Sequence, residues 1–234
     1  MILSANQPYF CAFPGFFHKA LASDVLIMLD EVQFPRGTTW ITRNRFKNDR
    51  GMFWITVPVR KKGLGLQRIS QVRICQEGRW RHKHLESIKA AYANAPYLGD
   101  HIGFMTEVFS NTFEKIIDLN MAVTRYLMKN LQVETKLRLL SELDVTGKGT
   151  ELLLEICRAA GATVFLAQRQ AGKFLDAKIF QRNGIELRYI TCVPPVYPQL
   201  WGDFLANLST LDLLFNCGPG ARDILLRSRP AAGR

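Results

Sequence analysis

The residues able to do chemistry concentrate in a few short stretches. The first is Gln7-Pro8 followed by Pro14-Gly15-Phe16-Phe17-His18-Lys19. Pro8, Pro14 and Gly15 break the chain between a short apolar start, Met1 to Ser4, and a helix expected over Gly15 to Ala22. In an open α/β sheet ligands sit at the carboxyl ends of strands, where a helix start offers free N–H groups to an anion. His18 and Lys19 stand in the first turn or so of that helix, placed to bind a phosphate or, for His18, to act as general acid or base. The second stretch is Asp30-Glu31-Val32-Gln33, which closes the apolar run from Asp24 to Asp30. Such a run reads as a strand buried on both faces of a parallel sheet, so Asp30 emerges at its carboxyl edge, able to orient or deprotonate an acceptor. The third is Arg43-Asn44-Arg45 with Lys47. Arginine grips phosphate or carboxylate through two parallel N–H bonds.

The elements that position these groups follow from the pattern. Thr39 to Lys47 alternates, Asn48-Asp49-Arg50-Gly51 turns, and Met52 to Val59 runs apolar, which predicts a hairpin. Alternation puts Arg43, Arg45 and Lys47 on one face, and Trp40, Thr42, Asn44 and Phe46 on the other. Trp80, His84, Ile88 and Tyr92 recur every fourth residue, so Trp80 to Asn94 reads as a helix, with His84 on its packed face or lining the site. His82 and His84 face apart on a helix and make no metal pair. A second helix is expected from about Phe104 to Leu131. From Lys136 onward strands and helices alternate: strands over Lys136–Leu140, Thr163–Ala167 and Ile185–Ile190, helices over Thr150–Ala160, Lys173–Arg182 and Phe204–Asn216. Such a βαβαβ run implies parallel strands with right-handed crossovers. The fold expected is a mostly parallel, Rossmann-like open α/β sheet in one domain over residues 1–226. It carries an inserted basic β-hairpin and a helical middle segment, and a frayed tail over 227–234.

Composition narrows the function classes. The chain has 234 residues, 47% of them hydrophobic, too many for a solvated coil. Its longest clean apolar run, Val25 to Leu29, is far below the ~20 residues of a membrane helix. Five widely spaced cysteines and a start without a basic signal segment point to the cytoplasm. The net charge of +11 is local: residues 36–84 hold thirteen basic and two acidic residues, and the remainder is balanced. That window focuses its field on an anionic partner. The partner is a nucleotide, a CoA or phosphate-bearing donor, or a tRNA whose bases Trp40 and Trp54 would stack. Lys61 and Lys62 before Gly63-Leu64-Gly65 read as a solvated turn, with an anion-binding loop as the alternative. No P-loop, complete dinucleotide fingerprint or Ser-His-Asp pattern occurs, so no cofactor and no metal is assigned.

Several segments in order resemble the WbqC-like protein family: Asn6-Gln7-Pro8-Tyr9, Pro14 through Lys19, Leu29 through Phe34, Arg43 through Lys47, Thr56-Val57-Pro58-Val59, Ala95-Pro96-Tyr97, Tyr197-Pro198-Gln199 and Leu211 through Gly218. The resemblance implies a bacterial biosynthetic transferase associated with surface polysaccharide or specialised metabolites. Such an enzyme would move an acyl, aminoacyl or sugar-linked group from an activated anionic donor. His18 and Asp30 would then be catalytic, and Gln7, Gly15, Lys19, Gln33, Arg43, Asn44, Arg45, Lys47 and His84 would bind substrate. The loop Ala167 through Lys173 departs from the Ser-Gly-Pro type of that family, which points to a changed substrate. Two alternatives stand beside this reading: an ATP-dependent nucleotidyltransferase or ligase, and a tRNA-binding module or tRNA-dependent aminoacyl transferase.

Overall fold

In a computed structural model, which describes residues 1–228, five strands form one parallel sheet. They are β1 (Ile2–Asn6), β2 (Val25–Met28), β5 (Lys136–Leu139), β6 (Val164–Gln168) and β7 (Glu186–Ile190). Their order is β5-β2-β1-β6-β7. β3 (Arg43–Asn48) and β4 (Gly51–Thr56) make a separate antiparallel hairpin. The helices are α1 (Pro14–Leu21), α2 (Trp80–Ala91), α3 (Leu98–Ser110), α4 (Ile116–Asn130), α5 (Gly149–Ala160), α6 (Ala177–Arg182), α7 (Thr210–Cys217) and α8 (Ala221–Arg227). This is the expected Rossmann-like α/β sheet with its inserted hairpin and helices.

Alternation along the central strands builds two cores. Leu26 and Met28 face a layer of α1, α4, α7, the hairpin and α2–α3. Leu3, Val25 and Ile27 face the other layer, with Leu152 and Ile156 of α5, Phe165 of β6 and Phe180 of α6. The sheet is therefore wound on both sides. Chain leaves β1 towards β2 on one face and crosses from β5 to β6 on the other, and the direction changes between β1 and β6.

Four segments depart from the sequence expectation for an identifiable local reason. The first hairpin strand starts at Arg43, because Thr39 accepts from the Ile41 and Thr42 N–H groups and holds 39–42 as a turn. The single helix expected over 104–131 is two, because residues 114–116 extend alongside 72–74: Ile74 N–H donates to Glu114 and Ile116 N–H to Val72. Of the helix expected over 173–182 only α6 forms: Lys173 closes a 3-10 turn over Arg169–Lys173, and α6 starts where the Asp176 carboxylate caps the Lys178 and Ile179 N–H groups. The helix expected from Phe204 starts at Thr210, capped by Ser209, because residues 199–207 are drawn onto the hairpin. Of the expected tail, Arg227 belongs to α8, and 229–234 lie outside the described residues.

Candidate active site

The point where the winding changes direction is where this architecture places a ligand. It is bounded by the ends of β1 and β6, the start of α1, and the chain just after β7. Lys19 reaches it from α1. Its side chain is almost fully buried, and its Nζ donates to the Ala5 carbonyl at 2.7 Å and to the Asn6 side-chain carbonyl. Both acceptors are neutral, and among the described residues no acidic side chain pairs with it. Burial therefore pushes the lysine down from 10.5 to about 8, only partly offset by the neighbouring Cys192.

Cys192 enters the crevice two residues beyond β7. Its Sγ donates to the Gly15 carbonyl at 3.2 Å, and Gln168 Nε2 approaches the sulfur at 4.0 Å. Burial pushes this thiol up, and Lys19 and Gln168 pull it back. Gly15 is required by close approach: a Cβ there would lie 3.1 Å from the Cys192 Cβ and 3.1 Å from the Phe13 ring. The α1 start and the β7 exit thus pack so closely that a methyl group there would require a neighbour to give by a few tenths of an ångström.

The loop from Gln7 to Phe13 is fixed from outside. Asn44, fully buried on β3, donates through Nδ2 to the Phe10 and Cys11 carbonyls at 3.0 and 2.7 Å. Asn120 of α4 donates to the Pro8 and Ile41 carbonyls at 2.7 and 2.8 Å. Phe10 N–H donates to Trp40, and Thr210 N–H to Ala12. These bonds hold Cys11 in the left-handed region, at φ 46°.

The other expected site residues fall in three further places. His18, one position before Lys19, faces the opposite way. Its Nε2 lies 2.9 Å from the Leu225 carbonyl and 3.0 Å from Ser228 Oγ, so it joins α1 to α8. Asp30 accepts from Ser141 N–H at 3.0 Å and its carbonyl accepts from Ser70 N–H, tying the end of β2 to the chain after β5 and to the insert. Glu31 and Gln33 line a cleft of about 840 Å³ with Arg68, Ser141 and Lys148. Glu31 is held below the usual carboxylate range by Ser70 and Arg68. His84 bonds the Thr56 carbonyl at 2.8 Å, and burial pushes its imidazole down. His18 and Asp30 are thus held by different elements.

The basic hairpin face is real but mostly engaged. In register, Arg43, Arg45 and Lys47 oppose Thr56, Trp54 and Met52. The Arg43 guanidinium lies 4.0 Å from the Trp54 ring centre, and that of Arg45 5.3 Å from Trp40. Arg45 Nη2 donates to the Asn207 carbonyl at 2.8 Å. Lys47 is buried beneath the 199–207 segment, donating to Gln199 at 3.2 Å and to the Asp203 carbonyl at 2.6 Å. Lys47 N–H donates to the Tyr92 hydroxyl, which donates to Asp212 at 2.7 Å, while Tyr197 donates to the other Asp212 oxygen at 2.8 Å. Burial pushes the Asp212 carboxyl up, and the two phenols hold it back. Tyr9, Phe13, Trp40 and Trp54 form a run of ring contacts from the crevice mouth to the hairpin.

The structure therefore brings Gly15 and Lys19 together with Asn6, Gln168 and Cys192, three residues the sequence does not single out as site candidates. Their signal is positional: each stands at or just past the carboxyl end of a parallel strand.

This fold and crevice define a doubly wound α/β protein with its candidate site at the switch in winding. The WbqC-like protein family model matches residues 7–224, and the chain belongs to that family. It is 28% identical to the uncharacterized protein Rv1507c of Mycobacterium tuberculosis over 221 residues, 94% of this chain and 95% of that protein. No solved structure matches the chain. Among the described residues no helix is long and apolar enough to cross a membrane.

Proposed function

We propose that the chain is a biosynthetic transferase that holds an activated, anionic donor in the crevice between β1 and β6. The donor's acyl, aminoacyl or sugar-linked group then passes to an acceptor. One observation carries this reading: Lys19 is a buried cation whose bonded partners are all neutral, placed where this architecture binds ligands. Removing an ammonium from water costs several kcal/mol, and two neutral hydrogen bonds recover only part of it. A donor phosphate or a developing negative charge on the leaving group supplies the missing countercharge. In this reading the charge-stabilising part belongs to Lys19. His18 acts by seating α1 on α8, and Asp30 by fixing the chain after β5. Gln7 and Gln168 supply neutral hydrogen bonds at the rim.

The test is thermal stabilisation by ATP with Mg²⁺, CoA esters, nucleotide sugars and bulk tRNA, with Lys19→Met as the control. At 100 times its Kd a true donor adds about 2.7 kcal/mol to the wild type. Lys19→Met is expected to melt close to the wild type, because it removes a desolvation cost along with two hydrogen bonds, and to gain nothing from the donor. Equal stabilisation of the variant, or no response to any small donor, overturns the reading. Pyrophosphate release with ATP assigns the nucleotidyltransferase alternative. The exposed Trp54 beside Arg43 favours the tRNA alternative, which a response to tRNA alone would assign.

A further inference from the structure

β7 is an open edge of the sheet: it pairs with β6 on one side, and among the described residues no strand pairs with the other. Glu186 N–H donates to Thr163, so Glu186, Arg188 and Ile190 turn their backbone groups towards β6. Leu187 and Tyr189 then present N–H and C=O outward. No proline interrupts the strand, and it is flanked by apolar surface: Phe174 is 82% exposed and Tyr189 39%. Native proteins usually blunt such an edge.

We propose that this edge is a homodimer interface, in which β7 pairs antiparallel with β7 of a second copy and joins the two sheets into one of ten strands. The occupant follows from charge. A two-fold axis must place some residue opposite itself. Centring on Arg188 or Glu186 sets like charges face to face, which is destabilising. Centring on Leu187 sets Glu186 opposite the partner's Arg188, and Arg188 opposite the partner's Glu186. It also makes Leu187 the hydrogen-bonded pair, because Leu187 is the residue whose N–H and C=O point outward. Glu186 and Arg188 become the closer, non-hydrogen-bonded pair, where side chains interact best. Tyr189 N–H meets the partner's Ile185 carbonyl, and Tyr189 and Phe174 lose water on the α6 side. Glu186 and Arg188 already bond each other within the strand, at 2.6 and 2.7 Å, so both point to one face and are oriented for a four-charge cluster. The opposite edge shows the contrast. β5 reads Lys-Leu-Arg-Leu, and the corresponding pairing about Leu137 would set Lys136 against the partner's Arg138.

Sedimentation equilibrium of the full chain between roughly 1 and 50 µM decides the matter, with melting followed by circular dichroism as the fold control. The wild type is expected at twice the 26.6 kDa chain mass. Arg188→Glu is expected to raise the dimer dissociation constant at least tenfold, since it collects four carboxylates at the axis. The double variant Glu186→Arg, Arg188→Glu restores the dimer, because the Leu187 register exchanges both signs together. Tyr189→Pro is expected to be monomeric yet folded, because its N–H faces away from β6. A monomeric wild type at 50 µM overturns the proposal. So does a dimer that survives both Arg188→Glu and Tyr189→Pro, or a charge-reversed double variant that stays monomeric while folded. None of these outcomes depends on the donor reading.

Discussion

Lys19 and His18 are neighbours in sequence, yet the helix sends them to opposite environments. His18 finds a carbonyl and a hydroxyl on α8, whereas Lys19 finds only a carbonyl and an amide at the end of β1. The consequence for Lys19 is a pH dependence with a definite sign. Its value falls from 10.5 to about 8 on folding, so between these the unfolded chain carries more protons and stability rises with pH. Below about pH 8 the full desolvation cost is present. A chemical-denaturation series from pH 7.5 to 10 should show this rise in the wild type and its loss in Lys19→Met. Donor binding has the opposite dependence. A bound anion holds the lysine protonated, so affinity is flat below about pH 8 and weakens by up to about tenfold per unit above it. Titration calorimetry in buffers of different ionisation enthalpy would register proton uptake on binding above that point. Affinity unchanged to pH 10 would remove Lys19 from the site.

At the scale of elements, the site depends on how closely α1 approaches the chain leaving β7. Gly15 has ordinary backbone angles, so its role is steric. Gly15→Ala places a methyl group 3.1 Å from the Cys192 Cβ and the Phe13 ring, and either α1 or the β7 exit must shift. Overpacking of this kind costs roughly 1–3 kcal/mol. Adding Cys192→Gly removes the opposing Cβ, so the double variant should be more stable than the sum of the single variants by about 1 kcal/mol or more. Additive effects in urea melts would show that the two positions do not meet. These elements differ in how far the sequence discloses them. The apolar run at Val25–Met28 and the alternation after Lys136 disclose the parallel sheet, because burial on both faces leaves a local signature. Gly15 and Lys19 stand out as candidate site residues from the strand-turn-helix pattern alone. Cys192, Gln168 and Asn6 are not, because strand order is set by packing between distant segments, and only that order makes neighbours of the ends of β1, β6 and β7. Residues 204–207 mislead for a related reason. The sequence reads as helix from Phe204 onward, but the Asp203 and Asn207 carbonyls and the Gln199 side chain are occupied by Lys47 and Arg45.

Over the whole molecule, the question is how much of the +11 excess remains free to attract a partner. The sequence locates it in residues 36–84, yet folding spends a good part of it internally. Arg60, Arg68 and Arg73 pair with Glu77, Glu31 and Glu114, two of these carboxylates coming from outside the window. Lys47 is buried, Arg43 and Arg45 rest on indole rings, and Lys61 lies over Phe34. Arg50 at the hairpin turn and Arg79 and Lys83 at the start of α2 are among the cations for which no such pairing is seen among the described residues. Lys19, the cation proposed to meet the donor, lies outside the window and is almost fully buried in the unliganded chain. The two partner classes then separate by salt. A polynucleotide held by six or more phosphate contacts loses roughly a thousandfold or more in affinity between 50 and 200 mM salt, because each contact releases condensed counterions. A small donor held by one buried ammonium and a few rim cations should lose less than about tenfold over the same range, since buried charge is screened far less than exposed charge. A steep dependence for the ligand that stabilises the protein would place binding on the hairpin and α2 surface and away from the crevice. A shallow one, together with loss in Lys19→Met, would place it between β1 and β6.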